Sequence, residues 1–198
     1  MSARVLLVRH PPVARAWAGR CYGRSDMGWS REGATMARLL APQLAANDLA
    51  GIVHSGVVRT RRLAEMVAEI AGLTARCDPR WLERDFGSWE GRRWNAIWRE
   101  SGDLMNRMMT DPESFRPGGG ETGRELADRV EAAWRDLPPG GDILVVAHGG
   151  PIAAIRTAME RQPIDRTVSY IPPHGAVIAM TRFRSFACPA APCAQIRL

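Results

Sequence analysis

Residues 142–155 read DILVVAHGGPIAAI. An unbroken aliphatic run closes on His148, two glycines follow, and Pro151 stands where the first turn of a helix begins. Such a run suits a strand buried on both faces of a parallel sheet. Proline is pre-set for a first helical turn, and glycines let backbone N–H groups approach an anion at the positive end of the helix. The stretch therefore reads as strand, tight turn and helix, with a histidine at the junction.

The same design recurs twice. VLLV (5–8) delivers Arg9 and His10, and GIV (51–53) delivers His54 and Ser55. Helical patterns lie between these runs. Ser30 is an N-cap for REGATMARLLAPQLAA (31–46), VVRTRRLAEMVAEIAG (57–72) stops at a glycine suited to a C-cap, and TGRELADRVEAAWRDL (122–137) ends before Pro138 and Pro139. A last strand is expected in GAVIAMTRF (175–183). Strands alternating with helices indicate a three-layer α/β/α fold. A chain of 198 residues favours one domain, 1–198, with a lid or cap region over 101–123 and an irregular tail over 187–198.

Composition excludes several classes of partner. The net charge is +6, but all 27 basic residues are arginines scattered among acids, so no basic stripe marks a nucleic-acid surface. Cys21, Cys77, Cys188 and Cys193 form no C-x-x-C pair and read as free thiols. The apolar stretch near the start is too short for a signal peptide or a membrane span, so a soluble cytoplasmic protein without membrane contact is expected. No H-x-x-E-H ligand spacing and no G-x-S-x-G elbow occurs, so neither a metal site nor a serine nucleophile is expected.

Open α/β sheets bind ligands beyond the carboxyl ends of their strands, where all three core runs place a histidine or its neighbour. Arg9 beside His10, and Arg59 in HSGVVRTRRLAE (54–65), add permanently charged planar donors matched to phosphate oxygens. Arg9, Arg59 and a protonated His148 could neutralise a transferring phosphoryl group without a metal or other cofactor. His10 would be the nucleophile. It must attack through a neutral ring nitrogen, so its other nitrogen should donate to a fixed acceptor and the guanidinium groups should lower its pKa. A general acid for the departing alkoxide is expected in WLERDFGSWEG (81–91). Glu83, after a short strand and among aromatics, is the first choice, with Asp85 and Glu90 as rivals on these grounds.

These segments together resemble the histidine phosphatase superfamily, also called phosphoglycerate mutase-like. LVRH (7–10) is similar to its Arg-His-Gly opening, and GRCYGRSDMGWSREG (19–33) to its glycine, aspartate and LS-x-x-G stretch. HSGVVRTRRLAE resembles its Ser-x-x-x-Arg segment, LERDFGSWEG (82–91) its acid-bearing motif and VVAHGG (145–150) its second histidine. The short chain and PGGGET (117–122) look most like the alpha-ribazole phosphatase-type branch. The resemblance implies a mixed, mainly parallel central sheet, no metal requirement, phosphorylation on His10, phosphate held by Arg9, Arg59 and His148, and Glu83 as proton donor. Tyr22, Gly23 and Gly149 would line the phosphate, with Glu121 and Thr122 on a loop approaching it.

The sequence departs from that family at Pro11, Val13 and Ala16, where glycine, serine or threonine, and asparagine are usual. Pro11 keeps its carbonyl, so an acceptor for His10 survives, and it restrains His10 to an extended backbone. Arg15 or Arg20 is expected to replace the missing asparagine. His54 and His174 read as loop or core-edge residues, and the methionines of SGDLMNRMMTDPESFRPGGGET (101–122) as core packing ahead of a substrate-facing lid with Gly118–Gly120 as hinge. The expected activity is metal-independent hydrolysis of a small-molecule phosphomonoester through phosphohistidine, releasing inorganic phosphate. A homodimer is compatible with this reading. Phosphoglycerate mutase-type phosphotransfer and non-catalytic phosphate binding are the alternatives. The absence of any lysine argues against the mutase.

Overall fold

Alternation within the apolar runs explains how the sheet is covered. In the computed structural model, which describes residues 3–181, β1 (Arg4–Arg9) lies between β4 (Asp142–Ala147) and β5 (Val177–Thr181). Val5, Leu7, Ile143, Val145 and Ala147 face one side of the sheet, and Leu6, Val8, Leu144 and Val146 the other. Side chains alternate along a strand, so a run with no polar member serves two cores at once. With β2 (Leu49–His54) and β3 (Ala75–Cys77) the strand order is β3-β2-β4-β1-β5. All pairs are parallel except β1 with β5, which gives the mixed, mainly parallel sheet expected.

Helices α1 (Arg31–Ala45) and α2 (Val58–Ala71) cover one face through Ala37, Ala41, Leu44, Leu63, Ala64 and Val67. The Ser30 hydroxyl caps α1 by accepting from Gly33 N, and α2 ends on left-handed Gly72. Between β3 and the long helices, α3 (Trp94–Ser101) and the single turn α4 (Arg107–Thr110) build a cap with its own small core of Cys21, Trp89, Ile97 and Phe115. Helices α5 (Gly123–Arg135) and α6 (Gly149–Met159) cover the second face, with Trp134 and Ile155 among their buried side chains. Among the described residues, no helix is long and apolar enough to cross a membrane.

The topology sets where a ligand can sit. From β1 the chain passes through α1 to β2 on one side, whereas from β4 it passes through α6 to β5 on the other. The crevice between the carboxyl ends of β1 and β4 is therefore the switch point of the sheet.

Three expectations need adjustment. Glu83 does not directly follow a strand, because the 3-10 turn Pro79–Trp81, capped by the Asp78 carboxylate on Arg80 N, intervenes after β3. Helix α6 starts at Gly149, ahead of Pro151, so the glycines belong to its first turn. The last two residues of the 175–183 strand and the 187–198 tail, with Cys188 and Cys193, lie outside the described residues. Within them Cys21 is buried, Cys77 is exposed, and both are free.

Leu144 is fully buried in the central strand, packed in the core that α1 and α2 cover. Leu144→Ala is expected to lower stability by about 2–5 kcal/mol, read from the urea midpoint at unchanged slope.

Candidate active site

The parallel register sets Arg9 beside Ala147, and the His10 amide then donates to the Ala147 carbonyl at 3.0 Å. The next residue on each strand is a histidine. Their rings stand 5.1 Å apart at 66°, both buried at the switch point.

The Pro11 carbonyl fixes the tautomer of His10. His10 Nδ1 lies 2.8 Å from the Pro11 carbonyl, which can only accept, so Nδ1 carries the proton and Nε2 keeps a lone pair. The Pro12 carbonyl accepts from Ser30 N at 3.0 Å, tying the loop to the start of α1. Burial first, then the charge of Arg59, hold the His10 pKa well below its usual 6.5, with His174 and Arg9 adding to the same effect. His10 is thus an uncharged imidazole at neutral pH.

Arg59 projects from the first turn of α2 and is completely buried. Its Nη1 and Nη2 donate to the Ser25 and Gly23 carbonyls, each at 2.6 Å, and its guanidinium lies 5.4 Å from the centre of the Tyr22 ring. Arg9 Nη1 donates to the Pro172 carbonyl at 2.6 Å. These tethers aim the guanidinium groups and leave donors over. Arg9 Nε, Arg59 Nε and His148 Nδ1 are three of only four buried side-chain nitrogens and oxygens without a hydrogen-bond partner among the described residues. Each such group costs about 1–3 kcal/mol if nothing satisfies it. The two spare guanidinium N–H groups, Arg9 Nε and Arg59 Nε, suit an anion beside His10.

His148, the N-cap of α6, is held from behind. Its Nε2 lies 2.7 Å from Ser55 Oγ, which lies 2.8 Å from Thr60 Oγ1, and Thr60 Oγ1 donates to the Val57 carbonyl. Each hydroxyl has one proton, so Thr60 uses its own on Val57, Ser55 donates to Thr60, and His148 Nε2–H donates to Ser55. Burial first, then Arg59 and His10, push the His148 pKa well below 6.5. Its unpartnered Nδ1 becomes a donor when an anion brings a proton with it.

Glu83 faces the same space. Its carboxylate accepts from Gly150 N at 3.1 and 3.2 Å and from Arg84 N at 2.9 Å. A Cβ at Gly150 would come within 2.1 Å of Glu83 Oε1, so only glycine admits the carboxylate to the start of α6. Arg129 clamps the segment from behind by donating to the carbonyls of Arg80, Leu82 and Glu83. The glycine run packs on this same segment: Cβ atoms at Gly118 and Gly120 would lie 2.2 Å from the Phe86 carbonyl and 2.3 Å from that of Asp85. Close backbone approach is what these glycines provide.

The structure brings His10, His148, Arg9, Arg59, Glu83, Tyr22, Gly23 and Gly149 to one crevice. It holds the other expected residues elsewhere. Arg20 donates to the carbonyls of Ala16 and Gly91, and Arg15 is exposed on the 3-10 turn Arg15–Trp17. The Glu121 carboxylate is paired with Arg129 at 2.6 Å, and the Thr122 hydroxyl caps α5 in a reciprocal box with Glu125. Of the rival acids, Glu90 accepts from Arg24 N, Ser25 N and Ser25 Oγ, and Asp85 from Gly87 N.

Two participants were missed. Ser55 aligns His148, a role visible only once β2 and β4 are paired. His174 Nδ1 donates to the His10 carbonyl at 3.0 Å, with its ring 5.0 Å from that of His10. The signal for His174 was its place just before an antiparallel strand, whose start lies at the carboxyl edge of its neighbour. His54, read as a loop or core-edge residue, is the buried last residue of β2 and accepts from Gly56 N.

All four histidines of the chain have pKa values pulled below 6.5, chiefly by burial. As pH falls through about 6.5 the unfolded chain takes up protons that the folded chain refuses, so stability is full above that pH and lost below it. The urea midpoint is expected to drop between about pH 7.5 and 5.5, and His148→Asn to flatten that dependence.

The model of the histidine phosphatase superfamily (branch 1) matches residues 5–185. The probable phosphoglycerate mutase GpmB of Yersinia pestis (strain Pestoides F) is 30% identical over 159 residues, 79% of this chain and 74% of that protein. A mycobacterial glucosyl-3-phosphoglycerate phosphatase solved with inorganic phosphate superposes with a TM-score of 0.74 at 27% identity, covering 85% of this chain and 84% of its own. The alpha-ribazole phosphatase of Shigella flexneri shares the fold, with a TM-score of 0.78 at 22% identity over 89% of each chain. Sheet, crevice and matched residues lead to one statement of kinship: the chain belongs to the histidine phosphatase superfamily.

Proposed function

We propose that the protein is a metal-independent phosphomonoesterase acting through a phosphohistidine on His10. The observation that carries this reading is the uncharged His10 ring, proton on Nδ1 toward the Pro11 carbonyl, set among the unpartnered nitrogens of Arg9, Arg59 and His148. His10 Nε2 attacks phosphorus while the ester P–O bond breaks, and Glu83 gives its proton to the leaving oxygen. Arg9, Arg59 and protonated His148 hold the equatorial oxygens, whose charge spreads in the transition state. A water then attacks the phosphohistidine, Glu83 takes its proton, the P–N bond breaks, and inorganic phosphate leaves. Arginine charge and a protonated imidazole supply the neutralisation, so no metal enters either step.

The similarity to a probable phosphoglycerate mutase makes transfer of the phosphoryl group to a second substrate hydroxyl the competing outcome. Chelator-treated protein is expected to release phosphate from simple phosphomonoesters and to leave the isomers of phosphoglycerate unscrambled, with or without bisphosphoglycerate. His10→Ala should lower turnover on the order of 10³-fold or more and abolish the base-stable phosphoprotein seen on quenching. Turnover or phosphoprotein that survives His10→Ala contradicts the assignment. Phosphate binding without turnover in the wild type would leave only a binding module. Glu83→Gln is expected to slow esters of aliphatic alcohols at least about 10-fold more than those of nitrophenols, whose leaving oxygens need no proton.

A further inference from the structure

The space beyond Glu83 differs in character from the crevice itself. A cavity of about 340 Å³ opens there, lined by Arg9, Glu83, Gly149 and Gly150 on its inner side. Its outer walls are apolar. Phe86 and Trp94 come from the cap, Met105, Met108 and Met109 from the segment through α4, and Leu126 from the first turns of α5. Ile164, Val168 and Ile171 close the far side. The methionines expected as simple packing thus have two roles: Met105 and Met108 rest on the small cap core, and all three face the cavity. Met109, Val168 and Ile171 are each more than two-fifths exposed and all line this one cavity, so they form a contiguous apolar patch.

The charged groups on the wall are committed or of the wrong sign for a second anion. In the proposed reading the phosphoryl group itself takes up Arg9, and Arg84 is buried with Nε and Nη2 on the carbonyls of Glu121 and Phe115. Asp165, exposed at the rim, is an acid. No lysine exists in the chain. A substrate carboxylate here would lose its hydration without gaining a matched cation.

We infer that the substrate is the phosphomonoester of a bulky, uncharged, apolar alcohol or phenol, whose hydrocarbon body lies against Met105, Met108, Met109 and Ile171. This rests on the proposed phosphatase reading for the position of the leaving oxygen: the proton donor must face that oxygen, so the rest of the alcohol extends into the cavity that Glu83 lines. Methionine walls adapt to varied apolar shapes, and the volume accommodates a ring-sized group. Phosphoglycerates and sugar phosphates fit poorly.

The test compares 2-phenylethyl phosphate with 3-phosphoglycerate and glycerol 3-phosphate, all primary alkyl esters, so that leaving-group chemistry is matched. Expected is a kcat/KM at least about 10-fold higher for the phenylethyl ester. Met109→Lys, placed where a cation is tolerated, should narrow that ratio at least about 5-fold while inhibition by inorganic phosphate persists. Binding is read separately, by calorimetry on His10→Ala with 2-phenylethylphosphonate and 3-phosphonopropionate, and should favour the apolar ligand. Equal or reversed preference in both measurements overturns the inference, and His10-dependent turnover in the same assay would leave the phosphatase assignment standing. Apolar preference in binding with no turnover of any ester upholds the cavity's role and overturns the phosphatase assignment.

Discussion

Two parallel strands in one register hold the site together. Arg9 beside Ala147 makes His10 and His148 neighbours, with their rings 5.1 Å apart. Strands apolar on both faces define their register weakly through burial alone, because a shift by one residue exchanges one hydrophobic set for another. The ends supply what the middle lacks. At the start, Arg4 N donates to Asp142 Oδ1 at 2.8 Å and the two side chains pair, and at the finish His10 N donates to Ala147 O. Arg4 is half exposed, so solvent screens its ion pair and leaves it little weight in stability. Its value lies in alignment, since a slip would draw Arg9 into the apolar interior, where its charge has no partner.

From that register the electrostatics follow. Burial makes charge expensive for both imidazoles, and two guanidinium groups make it more so, yet the same two guanidinium groups attract an anion. The site therefore disfavours protons on His10 while favouring phosphate beside it, which is the combination a nitrogen nucleophile requires. The backbone carbonyls of Gly23, Ser25 and Pro172 do the aiming. No acidic side chain forms a direct ion pair with Arg9 or Arg59 among the described residues, and their charge stays available to a ligand.

The parts legible in the sequence were those governed by local pattern. Continuous aliphatic runs announced β1, β2 and β4, and histidines at their tips announced the crevice, because strand direction alone puts those tips at one edge. Capping residues Ser30 and Gly72 marked helix ends for the same local reason. What stayed hidden was settled by tertiary tethering. Arg20 and Glu121 look like ligand-binding residues in one dimension and turn out to be held by Gly91 and Arg129. His174 looked ordinary because its partner, the His10 carbonyl, is contributed by the opposite end of the chain. The Pro11 departure was readable in part: a proline retains its carbonyl, and that carbonyl is what holds Nδ1.

The claim on which the rest stands is that His10 is neutral, with its proton on Nδ1 and Nε2 free. Long-range ¹⁵N–¹H NMR on histidine-labelled protein reads this directly. The His10 ring should show the Nδ1–H tautomer, uncharged, at about pH 6, below the ordinary histidine pKa. An imidazolium at that pH, or a proton on Nε2, would contradict the account.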